Sequence, residues 1–139
     1  MNRDDPFTLR IRRLALALVA GTSVGLIAQE CLWLSIDAFA FDRSLNQALV
    51  NFHVDTLLLL ALALGGFAGG CAGGLMAALI GPGRTIGIAT GLLLCFSSGL
   101  LMAFSAGDFG GMTALAAMPL PGAIIGAGVA QRIRSEPAC

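Results

Sequence analysis

Few residues in this chain could do chemistry, and most of them stand alone. Glu30 is the one acid well inside an apolar stretch. Ionisable groups carried into a membrane are costly and mark functional sites by default. With Gln29, Arg43, His53 and Asp55 as neighbours near one end, Glu30 could serve a proton-coupled step. The plainer reading is a hydrogen-bonded carboxyl that ties the first helix to the loop after it. His53 is the only histidine, so it supplies a single metal ligand, and a bis-histidine haem cannot form within one chain. It reads as an interfacial polar residue, paired with Glu30 in a candidate polar site. Cys31, Cys71, Cys95 and Cys139 make no Cys-x-x-Cys pair, so neither a redox motif nor a zinc site follows. Arg10, Arg12 and Arg13 suit anionic lipid head groups better than nucleic acid. No nucleophile stands beside a base in a familiar pattern. The expectation is no enzyme, no metal and no dedicated cofactor, with bound lipid or pigment as the remaining small-molecule reading.

The elements that must position these residues follow from composition. Hydrophobic residues make up 57% of the chain and charged ones 12%, against averages of roughly 45–50% and 25%. With a mean hydropathy of +0.87, the chain has too little polar surface for a soluble globular domain. Its long apolar stretches cover residues 14–36, 56–80, 85–106 and 109–131, the first broken only by Gln29 and Glu30. Crossing a ~30 Å hydrocarbon core takes about 20 residues of helix, and in lipid the backbone must satisfy its own hydrogen bonds. The pattern predicts an all-α fold: a four-helix transmembrane bundle forming a single integral membrane domain over residues 1–139.

Orientation follows from arginine, since lysine is absent. Arg3, Arg10, Arg12, Arg13, Arg84, Arg132 and Arg134 fall at the termini and the second loop, and only Arg43 on the opposite side. By the positive-inside rule both termini are cytoplasmic. Glu30, Asp37, Asp42, Asp55 and Asp108 lie at or near the outer side, so the zero net charge conceals a transverse polarity. The first stretch lacks a small-x-small cleavage site and reads as an uncleaved span.

Gly81-Pro82-Gly83-Arg84 predicts a tight inner turn, with a glycine ending the helix in a left-handed conformation. Ala106-Gly107-Asp108 predicts an outer one, with Asp108 as N-cap of helix 4. In the long outer loop, Ser44-Leu45-Asn46-Gln47 has the pattern of a capping box. Leu45, Ala48, Leu49 and Phe52 then recur at helical spacing. This predicts a short interfacial amphipathic helix over about 44–54, between helices 1 and 2; an outward extension of helix 2 is the alternative.

Nineteen of the 139 residues are glycine, nearly twice the ~7% average. Gly21 and Gly25, Gly87 and Gly91, and Gly122 and Gly126 form small-xxx-small pairs, while helix 2 carries three doublets, Gly65-Gly66, Gly69-Gly70 and Gly73-Gly74. At 100° per residue the six cover about half of that helix, with Phe67, Cys71 and Leu75 opposite. Between helices in lipid, association depends on close contact, which small residues permit. The glycines are therefore a helix-packing surface within the bundle, or a groove for a partner helix, lipid or pigment. In Pro119-Leu120-Pro121-Gly122 the two prolines cannot donate to the Leu115 and Ala117 carbonyls, which predicts a kink within helix 4. A helix starting at Pro119 and ending at Gln131 would reach only about 20 Å.

A Gly-containing first span with a Glu near its outer end (Gly25, Glu30), a Gly-rich second span closed by Arg84, and a last span with Pro119 closed by Arg132 resemble a broad group of small, uncharacterised four-span bacterial inner-membrane proteins. The resemblance implies a multi-pass location in the bacterial inner membrane and brings no activity. Small multidrug transporters are less similar, with their glutamate nearer mid-helix and aromatic partners missing here. So are fluoride channels, whose helix motif holds an Asn that none of the four stretches contains. The leading functional expectation is a non-catalytic accessory, scaffold or assembly subunit of a larger membrane complex. Its partners would be membrane lipids and other membrane subunits or further copies of itself, packed through glycine-rich faces. The alternative is a small oligomeric transporter or channel using Glu30 and the helix break at Pro119, Pro121 and Gly122.

Overall fold

The computed structural model of the chain describes residues 6–40, 56–106 and 113–135. They are helical, with no strand among them: α1 (Pro6–Ala40), α2 (Thr56–Ile80), α3 (Arg84–Ala106), the single turn α4 (Thr113–Ala116) and α5 (Pro119–Ser135). Helix α1 overruns its apolar stretch at both ends, and its 35 residues reach about 52 Å at 1.5 Å per residue. Residues 7–16 are exposed throughout, so the first two to three turns stand clear of the other helices. Two helical stretches, Phe7–Ser35 and Leu60–Ile80, are long and apolar enough to cross a membrane. The expected outer-surface helix, with His53 and Arg43, and the Asp108 cap lie outside the described residues.

Helix α2 is the centre of the fold. It packs against α1 on one side and α5 on the other, and α3 lies across all three. Its buried residues are Leu62, Gly65, Gly66, Gly69, Gly70, Gly73, Gly74, Ala77 and Ala78, all but the first of them glycine or alanine. The doublets do not form one bare face. Their first members turn to α1: a Cβ on Gly69 would lie 2.6 Å from the Gly25 carbonyl oxygen, and one on Gly73 2.6 Å from that of Gly21. Their second members turn to α5: a Cβ on Gly74 would lie 2.5 Å from the Ala123 carbonyl oxygen, and one on Gly70 would overlap the Pro119 carbonyl. Phe67, Cys71 and Leu75, expected on the far side, instead present backbone to Gly122 and Gly126 of α5. Residues 100° apart in one doublet point at two neighbours, so two seams replace the single face.

Helix α3 closes the arrangement. Cβ atoms on Gly87 and Gly91 would lie 2.6 and 2.5 Å from the Ala127 and Ala123 methyls of α5. The side chain of Leu94, with 0% exposure, fills the notch left by Gly25 and Gly73. At the turn after α2, Gly81 donates to the Ala77 carbonyl at 2.8 Å. The residue needing glycine's conformational freedom is Gly83, at φ 153°, rather than the residue that ends the helix. Arg134 of α5 donates through Nη2 to the Leu79 carbonyl and, at 3.0 Å, to that of Gly81. It thus satisfies carbonyls that a helix C-terminus leaves unpaired.

The last apolar stretch is broken rather than kinked. Ala117 and Met118 form a turn between α4 and α5, and Pro119 opens α5. A proline costs a helix nothing in its first turn, where the N–H has no intrahelical acceptor. Helix α5 starts at Pro119, in place of the expected kink within a longer helix, and runs past Gln131 to Ser135, its 17 residues reaching about 25 Å.

The seam with α5 predicts opposite outcomes at neighbouring glycines. Gly70→Ala drives a methyl into the Pro119 backbone and should cost at least the ~1–3 kcal/mol of an overpacked core. Gly66, whose Cβ would meet Met118 and Pro119 at 3.4 and 3.5 Å, and Gly128, with nothing within 4 Å, should accept alanine with up to about 0.5–1 kcal/mol of gain. Unfolding in mixed detergent micelles checks both.

Candidate functional site

The small-residue stripe of α1 runs Gly21, Gly25 and then, still at four-residue spacing, Gln29 and Trp33. All are buried against α2 and α3. Gly25 meets the backbone of Gly69; above it the Gln29 Cβ would stand 3.0 Å from a Cβ on Gly69, and the Trp33 indole covers Gly65 so closely that a methyl there would overlap it. Two glycines of α2 thus make room for two large side chains of α1.

This places three polar groups inside the helices. Gln29 is 4% exposed and Ser98 5%. Gln29 Nε2 donates to Ser98 Oγ at 3.4 Å, and Ser98 can return its proton to Gln29 Oε1 at 3.5 Å. Both bonds are long against the usual 2.8–3.0 Å. The third group, Trp33 Nε1, is buried and has no hydrogen-bond partner. An unpaired buried donor costs about 1–3 kcal/mol. Other hydroxyls settle within their own helix: Thr22 on Leu18 at 2.7 Å, Ser35 on Cys31 at 2.7 Å, Thr90 on Ile86 at 2.9 Å and Ser97 on Leu94 at 3.0 Å. Gln29 and Ser98 are instead a bond between helices.

Glu30 is not in this cluster. It is exposed, on the outward side of α1 beside exposed Cys31. Nor does the fold bring Glu30 to the helix break: Pro119 is fully buried against Gly66 and Gly70 of α2, which stands between α1 and α5. Within one chain, Glu30 and the helix break lie on different sides of α2.

The break has its own chemistry. The Leu115 and Ala117 carbonyls, freed by the prolines, accept from the Met118 and Leu120 N–H groups at 3.1 Å each. The Cys95 thiol of α3 donates to the Ala117 carbonyl at 3.6 Å. The break thus has its freed carbonyls accepted within the chain, one of them also by the Cys95 thiol. Gly21, Gly25, Gly65, Gly66, Gly69, Gly70, Gly73, Gly74, Gly87, Gly91, Gly122 and Gly126 are all buried, covered by the chain's own helices.

Compared with known proteins, the chain matches no protein family, no curated protein and no solved structure.

The sequence pattern points to Glu30 with Gln29 only as its neighbour, and does not single out Trp33 or Ser98. Continuing the four-residue stripe from Gly21 and Gly25 would have found Gln29 and Trp33. Stability should reflect the difference. Ser98→Ala removes the partner of a buried amide and should cost about 1–3 kcal/mol, whereas Glu30→Gln should stay within about 0.5 kcal/mol, both read from unfolding in detergent.

Proposed function

We propose that the chain is a non-catalytic scaffold or assembly subunit, an integral protein of a bacterial inner membrane with four spans and both termini in the cytoplasm, and that its partner surface is the outward face of α1. The solvent assignment is supported by an inverted distribution of bulk. Among the described residues, seven of the eleven buried hydrophobic ones are alanine, while Leu16, Val19, Ile27, Leu34, Leu92 and Phe96 are exposed. Water would drive such a surface together; lipid solvates it. The orientation is supported by arginine: Gly81 touches both Ala17 and Ile86 and accepts from Arg134, so Arg13, Arg84, Arg132 and Arg134 gather at one end.

Glu30 carries the functional reading. Acids at membrane depth face a bundle interior or a cavity, or they pair, yet among the described residues this one faces away from the other helices. Counting about 30 Å from Leu14 sets it roughly 6 Å inside the outer boundary. It belongs to an exposed row, Leu16, Val19, Ser23, Leu26 and Glu30, at spacings of three and four residues. That is the seam by which one helix meets another, with a polar member that fixes register. The glycine faces are filled from within the chain and are not the partner surface. A helix of another subunit or of a second copy, offering a donor to Glu30, completes the site.

Mass measurement in mild detergent tests this. The expected particle holds more than one 14.2 kDa chain, or a co-purifying membrane protein identified by mass spectrometry. Leu26→Trp and Glu30→Ala should each weaken the assembly by about tenfold or more, roughly 1.4 kcal/mol. Leu93→Trp, on the exposed side of α3, should leave it intact. A lone monomer with nothing bound at the lowest workable detergent overturns the proposal.

A further inference from the structure

The first turns of α1 stand clear of the other helices, and there Leu9, Arg10, Arg12, Arg13 and Leu16 line an open groove of about 530 Å³. Leu9, Arg12, Arg13 and Leu16 recur at helical spacing and share one face, with the two arginines flanking a stripe that ends in leucine above and below. Arginine stems cover apolar surface of this kind while their heads reach a polar layer. The depth agrees. Counted from Leu14 at 1.5 Å per residue, Arg13 to Arg10 lie about 1.5–6 Å beyond the hydrocarbon boundary, and a headgroup layer is about 5–8 Å deep on each side.

Charge sets the occupant. In sequence, this end carries Arg3, Arg10, Arg12, Arg13, Arg84, Arg132 and Arg134 against Asp4, Asp5 and Glu136. The acids among the described residues, Glu30 and Asp37, lie toward the far end of α1. Arg134 is committed to the carbonyls of Leu79 and Gly81, which leaves the arginines of α1 as the group standing off the bundle. Phe7 is 73% exposed and Leu9 52%. A nucleic acid would take up the arginines and leave these apolar side chains in water, whereas a lipid takes up both.

We propose that this groove holds the headgroup of one anionic phospholipid, with its phosphate on Arg12 and Arg13 and its chains running past Leu16 into the hydrocarbon. A guanidinium binds phosphate through two parallel hydrogen bonds. A zwitterionic lipid would bring an ammonium beside the same arginines, so the net charge of the headgroup decides. The proposal rests on the membrane reading above but not on the assembly.

The protein is reconstituted into vesicles of phosphatidylcholine and phosphatidylglycerol in equal parts, floated, and released for native mass spectrometry with its retained lipid. The expected adduct is phosphatidylglycerol in preference to phosphatidylcholine. Arg12→Gln together with Arg13→Gln removes charge-assisted bonds to phosphate and should cut that preference about tenfold or more. Both residues are exposed, so the packed helices are left intact. Arg84→Gln removes a like charge from α3, outside the groove, and should change the preference by at most about twofold. Equal retention of the two lipids, a preference that survives the double variant, or an equal loss with Arg84→Gln overturns the proposal. A chain that does not float overturns the membrane reading as well, while one that floats without a preference overturns the groove alone. Both leaflets carry both lipids, so neither the orientation of the chain nor the number of copies in the particle enters this readout.

Discussion

Backbone-to-backbone approach along α2 is the constraint on which the rest depends. Three doublets repeat every four residues, so each member starts a row that advances 400° per step on a helix of 100° per residue. The rows wind slowly round the axis, and a neighbour following one must cross at an angle instead of lying parallel, as ridges spaced by four residues generally require. Two rows set one residue apart then serve two neighbours at once. Glycine is needed because the contact atoms are carbonyl oxygens: at Gly69, Gly70, Gly73 and Gly74 a Cβ would strike the backbone of α1 or α5. Backbone cannot move aside as a flexible side-chain end can.

Large side chains then enter the interior as isolated plugs. Leu94 fits where Gly25 and Gly73 leave a notch, Trp33 where Gly65 does, and Pro119 where Gly66 and Gly70 do. Each plug is paired with the glycines that admit it, so cohesion comes from shape matching and close van der Waals contact and not from withdrawing bulk from solvent. That suits a bilayer, where apolar side chains gain little by burial and contact area is what holds helices together.

The elements were legible wherever the chain punctuates itself. Helices α2 and α3 match their apolar stretches to within a residue because Gly81, Pro82 and Gly83 stop one helix and release the next. The ends of α1 were not, since nothing in Pro6–Arg13 or after Ile36 forbids a helix and apolar length marks only a membrane-sized part of it. Pro119 and Pro121 marked the disruption in the last span, but its form depended on a tertiary fact: the freed Ala117 carbonyl finds the Cys95 thiol, 22 residues earlier. The glycines were visible as residues but not as two seams, because 100° decides which neighbour a residue meets and only the packed helices fix that angle.

The same 100° separates Gln29 from Glu30 and decides which is used inside. Turning α1 to bring Glu30 inward would carry Gly21 and Gly25 off the carbonyls of Gly73 and Gly69 and break the Gln29–Ser98 bond. It would also place a carboxyl among helices that offer it no cation. Close approach and polar pairing therefore fix the rotation of α1 in the same sense, and each would resist the turn without the other. With that rotation set, Glu30 faces away from the other described helices, and the polar role inside the fold falls to Gln29.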